Sequence, residues 1–556
     1  MKTDIEIAHE AKMVHIREIA AQLGIAEDDL QYYGKYKAKL PLKYINPEKV
    51  KSSKLILVSA ISPTPAGEGK TTVSIGLAQG LNRIGKKTTV VLREPSMGPV
   101  FGVKGGAAGG GYSQVLPMED INLHFTGDFG AIEKAHNLLA AIIDNNIQNK
   151  KNNLFIDPRT VLWKRVMDMN DRSLRKIIVG LGGTMSGVPR ETGVDITAAS
   201  EIMAILCLSD NLLHCKEKMG NIFVGYTYDK KPVYARDLKA NGAMAALLKD
   251  AILPNLVQTI ENTPAIIHGG PFANIAQGTN SVIATRMGLS LSDYVVTEAG
   301  FGFDLGAEKF LDIKCRYSGL DPEAVVLVAT VRALKYHGGG DLKTLKEPNP
   351  GLVRNGLPNL DKHIENMKLF NLCPVVAINR FASDTDEEIE TVKERCRQLG
   401  IPACAVNVWS EGGAGALELA DMVSKVADMC TARYSPLYEL DWSVEKKIET
   451  ICKKIYGAQH VDYLPKAKKD LQKVYNLGLD KLAVCIAKTQ KSLSDNPELL
   501  GRPKDFVVTV REIEVAAGAG FIVPITGEIM RMPGLPEIPS AEFIDIDENG
   551  NIVGLS

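Results

Sequence analysis

Short apolar runs alternate with helical patterns over most of residues 50–380. The runs that predict strands are 55–61, 88–92, 176–181, 264–268, 294–297, 324–330 and 374–378. Each run is almost continuously apolar, which is typical of strands buried on both faces of a sheet. Strands of this kind, separated by helices, are typical of a parallel sheet with helices packed on both sides. The pattern therefore predicts an α/β fold with one mixed or doubly wound, mostly parallel sheet.

The segments outside these runs predict further helices and one late strand. Amphipathic or charged helical patterns cover 4–30, 384–400 and the lysine-rich region 440–496, and residues 505–510 predict a strand. The segment 335–362 is rich in Gly, Pro and Asn. It is therefore either a linker or a long loop at an active site.

The segment Thr64-Pro65-Ala66-Gly67-Glu68-Gly69-Lys70-Thr71-Thr72 lies between the first predicted strand and a helical pattern over 73–84. A glycine-rich turn with Lys-Thr in this context predicts a phosphate-binding loop. Its backbone N–H groups and the positive end of the helix dipole would face an anion. Lys70 adds a charge for the outer phosphates, and the Thr71 hydroxyl is placed for a magnesium ion. The usual first glycine is Thr64 here, and a plain strand-to-helix turn is the alternative.

Polar and ionic residues follow the C-terminal ends of several predicted strands. They are Arg93-Glu94, His268-Gly269-Gly270, Glu298, Arg332 and Asn379-Arg380. Ligands bind at this edge of open α/β sheets, so we expect these strand ends to converge near the phosphate-binding loop. Arg93 could clamp a phosphoryl group or an acyl phosphate, and Glu94 could pair with Arg93 or hold a cation. The alternatives are ordinary polar loops and a surface ion pair.

Two unusual segments lie between residues 104 and 128. Residues 104–112 are mostly glycine and alanine, which allows backbone to approach a ligand closely or forms a mobile surface loop. Residues 119–128 hold three carboxylates and a histidine. Carboxylate oxygens suit hard cations, so a cation site is one interpretation, and a solvated acidic turn is the other.

Aromatic residues stand in glycine-rich loops after predicted strands. Phe301 and Phe303 follow Glu298, Phe381 follows Asn379-Arg380, and Trp409 precedes a run of glycines. Rings held in this way can stack on a flat heterocycle. The alternative is that they belong to the hydrophobic core.

Composition narrows the classes of protein. The 556 residues carry a net charge of −1, which gives no reason to expect nucleic acid or a membrane surface as a partner. No apolar run is long enough to span a bilayer and the first residues lack a signal core, so we expect a cytoplasmic protein. Nine scattered cysteines without a Cys-x-x-Cys pair indicate reduced thiols rather than disulfides or a zinc site. The guanine-reading Asn-Lys-x-Asp motif is absent, which favours ATP over GTP.

Several long segments together resemble the formate–tetrahydrofolate ligase family, also called 10-formyltetrahydrofolate synthetase, in its monofunctional bacterial form. The segments are 64–72, 92–99, 104–128, 268–276, 297–310 and 409–415. The departure at Thr64 is the family's own variant. The resemblance implies that ATP phosphorylates formate to formyl phosphate. ADP is formed in that step. A secondary amine of tetrahydrofolate then attacks the formyl carbon, giving 10-formyltetrahydrofolate and phosphate. The enzyme would act mainly by positioning the reactants and stabilising charge.

The resemblance also implies roles for single residues. The nucleotide would be held by Thr64, Pro65, Ala66, Gly67, Glu68, Gly69, Lys70, Thr71 and Thr72. Lys70 and Arg93 would be catalytic, with Mg²⁺ near Thr71. A monovalent cation, K⁺ or NH₄⁺, would lie near Glu94 and Asp128. The pterin would lie between Phe381 and Trp409, in a pocket also lined by Phe301 and Glu298.

The assembly implied by the resemblance is a homotetramer of three-domain chains. We place a nucleotide-binding domain at 1–345, a second α/β domain with the pocket aromatics at 346–470, and a small C-terminal α/β domain at 471–556. The expected partners are formate, ATP and tetrahydrofolate, without nucleic acid or membrane. Two other classes stay open: a different ATP-dependent phosphate-loop enzyme, either a carboxylate-activating synthetase or a maturation ATPase, and a non-catalytic nucleotide-binding module.

Overall fold

The computed structural model describes residues 2–102 and 108–555, and twelve strands of this part form a central sheet. They are β1 (Gln31–Tyr32), β2 (Ala38–Lys39), β3 (Lys54–Ala60), β4 (Thr88–Leu92), β5 (Gly109–Gly110), β6 (Ser113–Leu116), β7 (Asn255–Thr259), β8 (Pro264–Ile267), β9 (Tyr294–Glu298), β10 (Pro322–Ala329), β11 (Pro374–Asn379) and β12 (Ala403–Val406).

Seven neighbouring strands of the sheet are parallel, in the order β8-β4-β9-β3-β10-β11-β12. The antiparallel strand β7 pairs with β8 and joins the short strands β2 and β6 to this block. A large, mostly parallel α/β sheet was the arrangement predicted from the continuous apolar runs, and it is confirmed. The finer description as a phosphate-loop domain with two smaller domains stays a prediction.

The two faces of the sheet lie in separate hydrophobic cores because neighbouring side chains of a strand point to opposite faces. Leu55 and Leu57 of β3 pack in one core, which also receives the helix Val282–Leu291. Ile56 and Val58 pack in the other, with the helix Lys70–Arg83. Because both faces of the sheet are covered, most positions of β3 are apolar, and its sequence shows no alternation of polar and apolar residues.

Helices pack around the central sheet and also occur in the rest of the chain. The α-helices are Asp4–Glu10, Ile16–Gln22, Pro47–Ser52, Lys70–Arg83, Met97–Phe101, Met118–Asn122, Asp128–Gln148, Glu201–Cys207, Leu212–Gly220, Asn241–Leu247, Val282–Leu291, Arg316–Ser318, Val331–His337, Pro350–Leu369, Asp386–Gln398, Val408–Glu411, Leu417–Met429, Val444–Ile451 and Pro465–Asn476. Short 3₁₀ or π segments are Glu27–Asp29, Leu42–Tyr44, Pro158–Thr160, Arg172–Leu174, Thr197–Ala199, Phe303–Ala307, Phe310–Cys315, Gly412–Ala416, Cys452–Tyr456 and Ser540–Glu542. Within the described residues, none of these helices combines the length and the apolar character needed to cross a bilayer.

Smaller sheets lie outside the central one. Their strands are Arg165–Met167, Ile177–Val179, Arg190–Thr192, Val194–Ile196, Phe223–Tyr226, Pro232–Tyr234, His460–Tyr463, Ala483–Val484, Val507–Val510, Glu512–Ala516, Phe521–Ile525, Asp545–Ile546 and Ile552–Val553. The predicted strand 176–181 is among them: residues 177–179 pair with 190–192 in a hairpin and take no part in the central sheet. The predicted strand 505–510 pairs with residues 460–463.

The helical predictions need three corrections. The lysine-rich region 440–496 is helical only in part: it holds the helices Val444–Ile451 and Pro465–Asn476 but also the strands His460–Tyr463 and Ala483–Val484. The region 4–30 forms two helices and a 3₁₀ turn, because residues 11–15 are not helical and separate the two helices. The segment 335–362 is neither a linker nor a long loop throughout, since the helix Pro350–Leu369 begins inside it. Asn349 caps this helix by accepting a hydrogen bond from the backbone N–H of Leu352 at 3.0 Å, and Pro350 stands at its first position.

The cysteines depart from the prediction of reduced thiols at one pair. Cys373 and Cys430 form a disulfide, with 6.4 Å between their Cα atoms. Cys373 directly precedes β11, and Cys430 directly follows the helix Leu417–Met429 that packs on the sheet, so the fold brings together two residues 57 positions apart. Sequence spacing gave no sign of this contact. The other seven cysteines are buried and free.

Candidate active site

The C-terminal ends of the parallel strands meet at one edge of the sheet. The registers align Glu298 with Val58, Thr297 with Val91, and Asn379 with Val406. The segments that follow β3, β4, β9, β11 and β12 therefore emerge side by side. These segments carry, in that order, the candidate residues Lys70, Arg93, Phe301, Phe381 and Trp409.

The turn at residues 64–69 connects β3 to the helix that begins at Lys70. Gly67 and Gly69 have φ angles of 77° and 72°, in the left-handed region that glycine adopts without steric cost. Gly69 caps the helix and offers no side chain to its first N–H groups, which leaves them to an anion. A Cβ on Gly69 would lie 2.6 Å from Nδ2 of Asn379, so no larger residue fits without a shift.

Glu68 points into the protein and holds the turn in shape. Its buried carboxylate accepts hydrogen bonds from the backbone N–H and the hydroxyl of Thr64, at 2.6 and 2.8 Å, and from the hydroxyl of Thr330. Its carbonyl oxygen accepts a hydrogen bond from Nδ2 of Asn379 at 3.1 Å. These supports come from the ends of β10 and β11, and the sequence did not identify Thr330 or the role of Asn379.

Thr71, Glu298 and Arg93 form a line across the ends of β3, β9 and β4. The Thr71 hydroxyl donates a hydrogen bond to Oε2 of Glu298 at 2.9 Å. Nη2 of Arg93 lies 3.8 Å from Oε1 of the same carboxylate, and Nη1 donates to the carbonyl of Pro271 at 3.4 Å. The structure thus places Glu298 between the turn and Arg93.

The Arg93 guanidinium keeps unused hydrogen-bonding capacity. Within the part of the chain that the structure describes, its Nε is buried without a partner, while the side chain as a whole is 25% exposed. Gly300 makes room for it, since a Cβ there would lie 3.1 Å from Nη1. A planar cation with such a donor, next to a helix N-terminus that has no side-chain cap, is chemically suited to an anion.

Glu94 and Asp128 lie near each other, but they differ in their partners. Oε2 of Glu94 is buried and has no hydrogen-bond partner among the described residues. Asp128 is paired on both oxygens, with Nζ of Lys39 at 2.8 Å and Nδ2 of Asn255 at 2.8 Å. Burial, and then the charge of Asp128, raise the pKa of Glu94 well above its ordinary value, while Lys39 lowers it.

The other ionic residues of the predicted acidic segment face elsewhere. Glu119 pairs with His9 at 2.9 Å, and Asp120 pairs with Lys37 at 2.8 Å. Over residues 2–102 and 108–555, no group of three or more His, Cys, Asp or Glu side chains is arranged to hold a metal. The segment is therefore a set of ion pairs from which only Asp128 reaches the neighbourhood of Glu94.

Phe381 and Trp409 follow the neighbouring strands β11 and β12, and both rings are half-buried. The guanidinium of Arg332 lies over the Phe381 ring, 4.0 Å from its centre. The Trp409 ring packs on Gly110, and the Trp409 carbonyl accepts a hydrogen bond from the Tyr112 N–H at 2.8 Å. The two rings thus stand at adjacent positions on the edge that carries the turn.

Of the remaining candidates, Phe301 lies at the edge of the sheet, whereas Phe303 and His268 are buried. Phe301 is half-buried and has a φ of 59°, so its ring is aimed by a strained backbone. Phe303 is fully buried against Phe370 and belongs to the core. His268 is also structural: Nε2 and Nδ1 lie 2.7 Å from the Ala251 carbonyl and the Ser281 hydroxyl, and burial lowers its pKa to about 4. The glycine-rich prediction at 104–107 lies outside the described residues.

The comparison with known protein families gives one match that covers nearly the whole chain. The model described as formate–tetrahydrofolate ligase matches residues 2–556. The match includes every strand of the central sheet and every candidate residue at its edge.

Proposed function

Since the chain belongs to the formate–tetrahydrofolate ligase family, whose members are ATP-dependent ligases, we propose that it works through formyl phosphate and forms 10-formyltetrahydrofolate. A carboxylate oxygen of formate attacks the terminal phosphorus of ATP, and the bond from that phosphorus to ADP breaks. The tetrahydrofolate amine then attacks the formyl carbon, the bond to phosphate breaks, and the amine loses its proton. Formate is a poor electrophile until its oxygen becomes a phosphate leaving group.

The nucleotide side of this proposal rests on the turn at 64–69. The uncapped helix N-terminus and the left-handed glycines offer backbone N–H groups to the phosphates. Lys70 would stabilise the charge on the transferring phosphoryl group. Thr71 and Glu298 supply hard oxygen atoms that fit Mg²⁺, which would neutralise phosphate charge.

The contact between Glu298 and Arg93 carries the formyl phosphate step. Arg93 stands beside Glu298, which accepts a hydrogen bond from Thr71, so the guanidinium would be next to the position that we propose for the terminal phosphate. Its buried Nε has no partner and can donate to the acyl phosphate. Arg93 would thus bind the intermediate and stabilise charge in both steps.

Of the two carboxylates predicted to hold a monovalent cation, Glu94 fits that role better than Asp128. The unpartnered Oε2 of Glu94 is an available ligand. Asp128 is already neutralised by Lys39, so it would contribute less than the sequence suggested. K⁺ or NH₄⁺ would be held mainly by Glu94, where it would favour the charged carboxylate.

The pterin would lie against Phe381 and Trp409, with Phe301 nearby. Half-buried rings after adjacent strand ends offer flat apolar faces within reach of the turn. The three-domain division at 1–345, 346–470 and 471–556 and the homotetramer also stay proposals, and sedimentation velocity of the purified protein tests the assembly.

The experiment that tests the reaction is an assay for 10-formyltetrahydrofolate in which formate, ATP and tetrahydrofolate are withheld in turn. We expect product and ADP only when all three are present. ATP hydrolysis that is indifferent to formate and tetrahydrofolate would instead favour the maturation ATPase. Lys70→Met, which removes the charge but keeps most of the stem, should lower kcat at least a hundredfold, and a near-normal kcat would contradict the assignment.

A further inference from the structure

Arg332 connects the nucleotide turn to a pterin-pocket ring. It lies at the second position of the helix Val331–His337, after β10. Its Nη2 donates a hydrogen bond to the carbonyl of Gly67, and its Nε lies 3.9 Å from Oε2 of Glu68. The same guanidinium covers the ring of Phe381 at 4.0 Å. One planar group therefore contacts the two walls of the site at once.

The chemistry of the guanidinium suits this double contact. Its in-plane N–H groups reach the turn, while its flat face remains available for the aromatic ring. A lysine ammonium could keep the charge and one hydrogen bond, but it has no flat face to stack. The side chain is 26% exposed, so substitution to lysine is sterically tolerable.

A second connection runs in parallel through Asn379. Its Nδ2 donates to the carbonyl of Glu68, and it also limits the space at Gly69. Asn379 stands two positions before Phe381 at the end of β11. A change at Gly67–Gly69 is therefore transmitted to the Phe381 segment by a side chain and by the strand end.

We propose that Arg332 is a positioning residue that couples nucleotide binding to tetrahydrofolate binding by fixing the Phe381 ring when the turn is occupied. The proposal rests on the proposed function, which assigns the turn to ATP and Phe381 to the pterin. Occupying the turn orders the Gly67 carbonyl, which orders the guanidinium and hence the ring. Each ligand then strengthens the binding of the other by the same factor, because coupling between two sites is reciprocal.

The test measures this coupling directly in the full-length protein. Tetrahydrofolate binding is measured by calorimetry in formate-free buffer, with and without the non-hydrolysable analogue AMP-PNP and Mg²⁺. In the unsubstituted protein we expect AMP-PNP to tighten tetrahydrofolate binding about tenfold. In Arg332→Lys the tightening should fall to about threefold or less, the remainder being carried through Asn379, while AMP-PNP alone still binds.

Two further variants separate coupling from general damage. Arg354→Lys is the matched control, because Arg354 is exposed and pairs only with Glu387 at 3.8 Å; it should keep the full tenfold effect. Phe381→Leu removes the ring under the guanidinium and should abolish the coupling even if Arg332→Lys does not fold. In the double variant the two losses should not add.

The possible results have distinct meanings. Full coupling in Arg332→Lys, or no coupling in the unsubstituted protein, would overturn the role of Arg332. If the unsubstituted protein binds AMP-PNP but shows no tetrahydrofolate binding under any condition, the proposed function itself is wrong.

Discussion

Glu298 shows how one side chain acquires a position that its sequence neighbours do not indicate. The family resemblance implied that Glu298 lines the pterin pocket together with Phe301. In the sheet, however, β9 lies between β3 and β4, so its last residue stands between the turn after β3 and Arg93 after β4. The order of strands in the sheet brings Glu298 to Thr71 and Arg93, and no local sequence pattern indicates that order.

Replacing Glu298 with glutamine tests this position. The Glu298→Gln variant keeps a hydrogen-bond acceptor for Thr71 but loses the negative charge beside Arg93. We expect a roughly tenfold higher Mg²⁺ requirement and a lower kcat, with the KM for tetrahydrofolate unchanged, because hard cations favour charged oxygen ligands. Initial rates over a Mg²⁺ series measure this. A change confined to the tetrahydrofolate KM would return Glu298 to the pterin pocket.

Trp409 should act on folate binding alone. Removing the ring in Trp409→Ala leaves the turn and Arg93 in place, so the KM for tetrahydrofolate should rise about 5- to 150-fold, equivalent to roughly 1–3 kcal/mol of stacking. The KM values for ATP and formate should stay within twofold. Steady-state kinetics with Trp442→Phe as the control measure the effect, and an unchanged folate KM would remove Trp409 from the pocket.

The helix Lys70–Arg83 and the segment that carries Trp409 depend on close packing between them. A Cβ on Gly76 would lie 2.5 Å from Cγ1 and 2.6 Å from Cβ of Val408, the residue before Trp409. The glycine is therefore required by the approach of two elements and not by its own backbone angles. The close approach of this helix to the segment that carries Trp409 therefore depends on the missing side chain at Gly76.

Substituting Gly76 separates packing from helix propensity. Gly76→Ala should lower the free energy of unfolding by about 1–3 kcal/mol, because overpacking forces the elements apart, and should raise the tetrahydrofolate KM. The control is Gly130→Ala in the helix Asp128–Gln148, where the added Cβ would meet no described atom within 4 Å apart from its chain neighbours and the backbone of its own helix. That change should stabilise by about 0.5–1 kcal/mol. Urea unfolding compares the two, and a stabilised Gly76→Ala would contradict the packing argument.

The sequence predicted strands best where the whole strand is apolar. The residues of β4 agree with the predicted 88–92, and β3, β8, β9, β10 and β11 differ from prediction only at their ends. Strand β7 was missed because it contains Asn255, Gln258 and Thr259, which are buried but hydrogen-bonded. Strand β12 was missed because it is only four residues long, two of them alanine.

The sequence predicted individual residues of the candidate site but not the contacts between them. Lys70, Arg93, Phe381 and Trp409 were identified because strand ends and glycine turns mark them. Lys39, Thr330 and the links of Arg332 were not identified, because they depend on which strands are neighbours. A buried lysine such as Lys39 resembles its exposed neighbour Lys35 until the fold is known.

At the scale of the whole molecule, His337 joins the C-terminal region to the segment between β3 and the turn. Its Nε2 lies 3.0 Å from the carbonyl of Ser62, and its Nδ1 accepts from the N–H of Gly501 at 3.1 Å. The ring is thus neutral, with one nitrogen donating and the other accepting. Burial lowers its pKa from 6.5 to about 4.

This lowered pKa predicts a loss of stability in acid. Between pH 6.5 and 4 the unfolded chain binds more protons at this site than the folded chain, so the free energy of unfolding falls as the pH falls. The full loss from this site is about 3 kcal/mol. In His337→Gln this contribution should be absent, while the exposed His460→Gln should behave like the unsubstituted protein. Urea unfolding at pH 7, 5.5 and 4.5 measures the difference; parallel curves for the His337 variant and the unsubstituted protein would contradict it.

The support of Glu68 also has a consequence for how the protein is made. Thr330 and Asn379 follow Glu68 by 262 and 311 positions. At roughly 5–20 residues added per second, a chain on the ribosome would carry its turn for roughly 15–60 s before Asn379 is synthesised. ATP is therefore not expected to act as an early template for folding, and nucleotide affinity should emerge only after roughly two-thirds of the 556 residues have been synthesised.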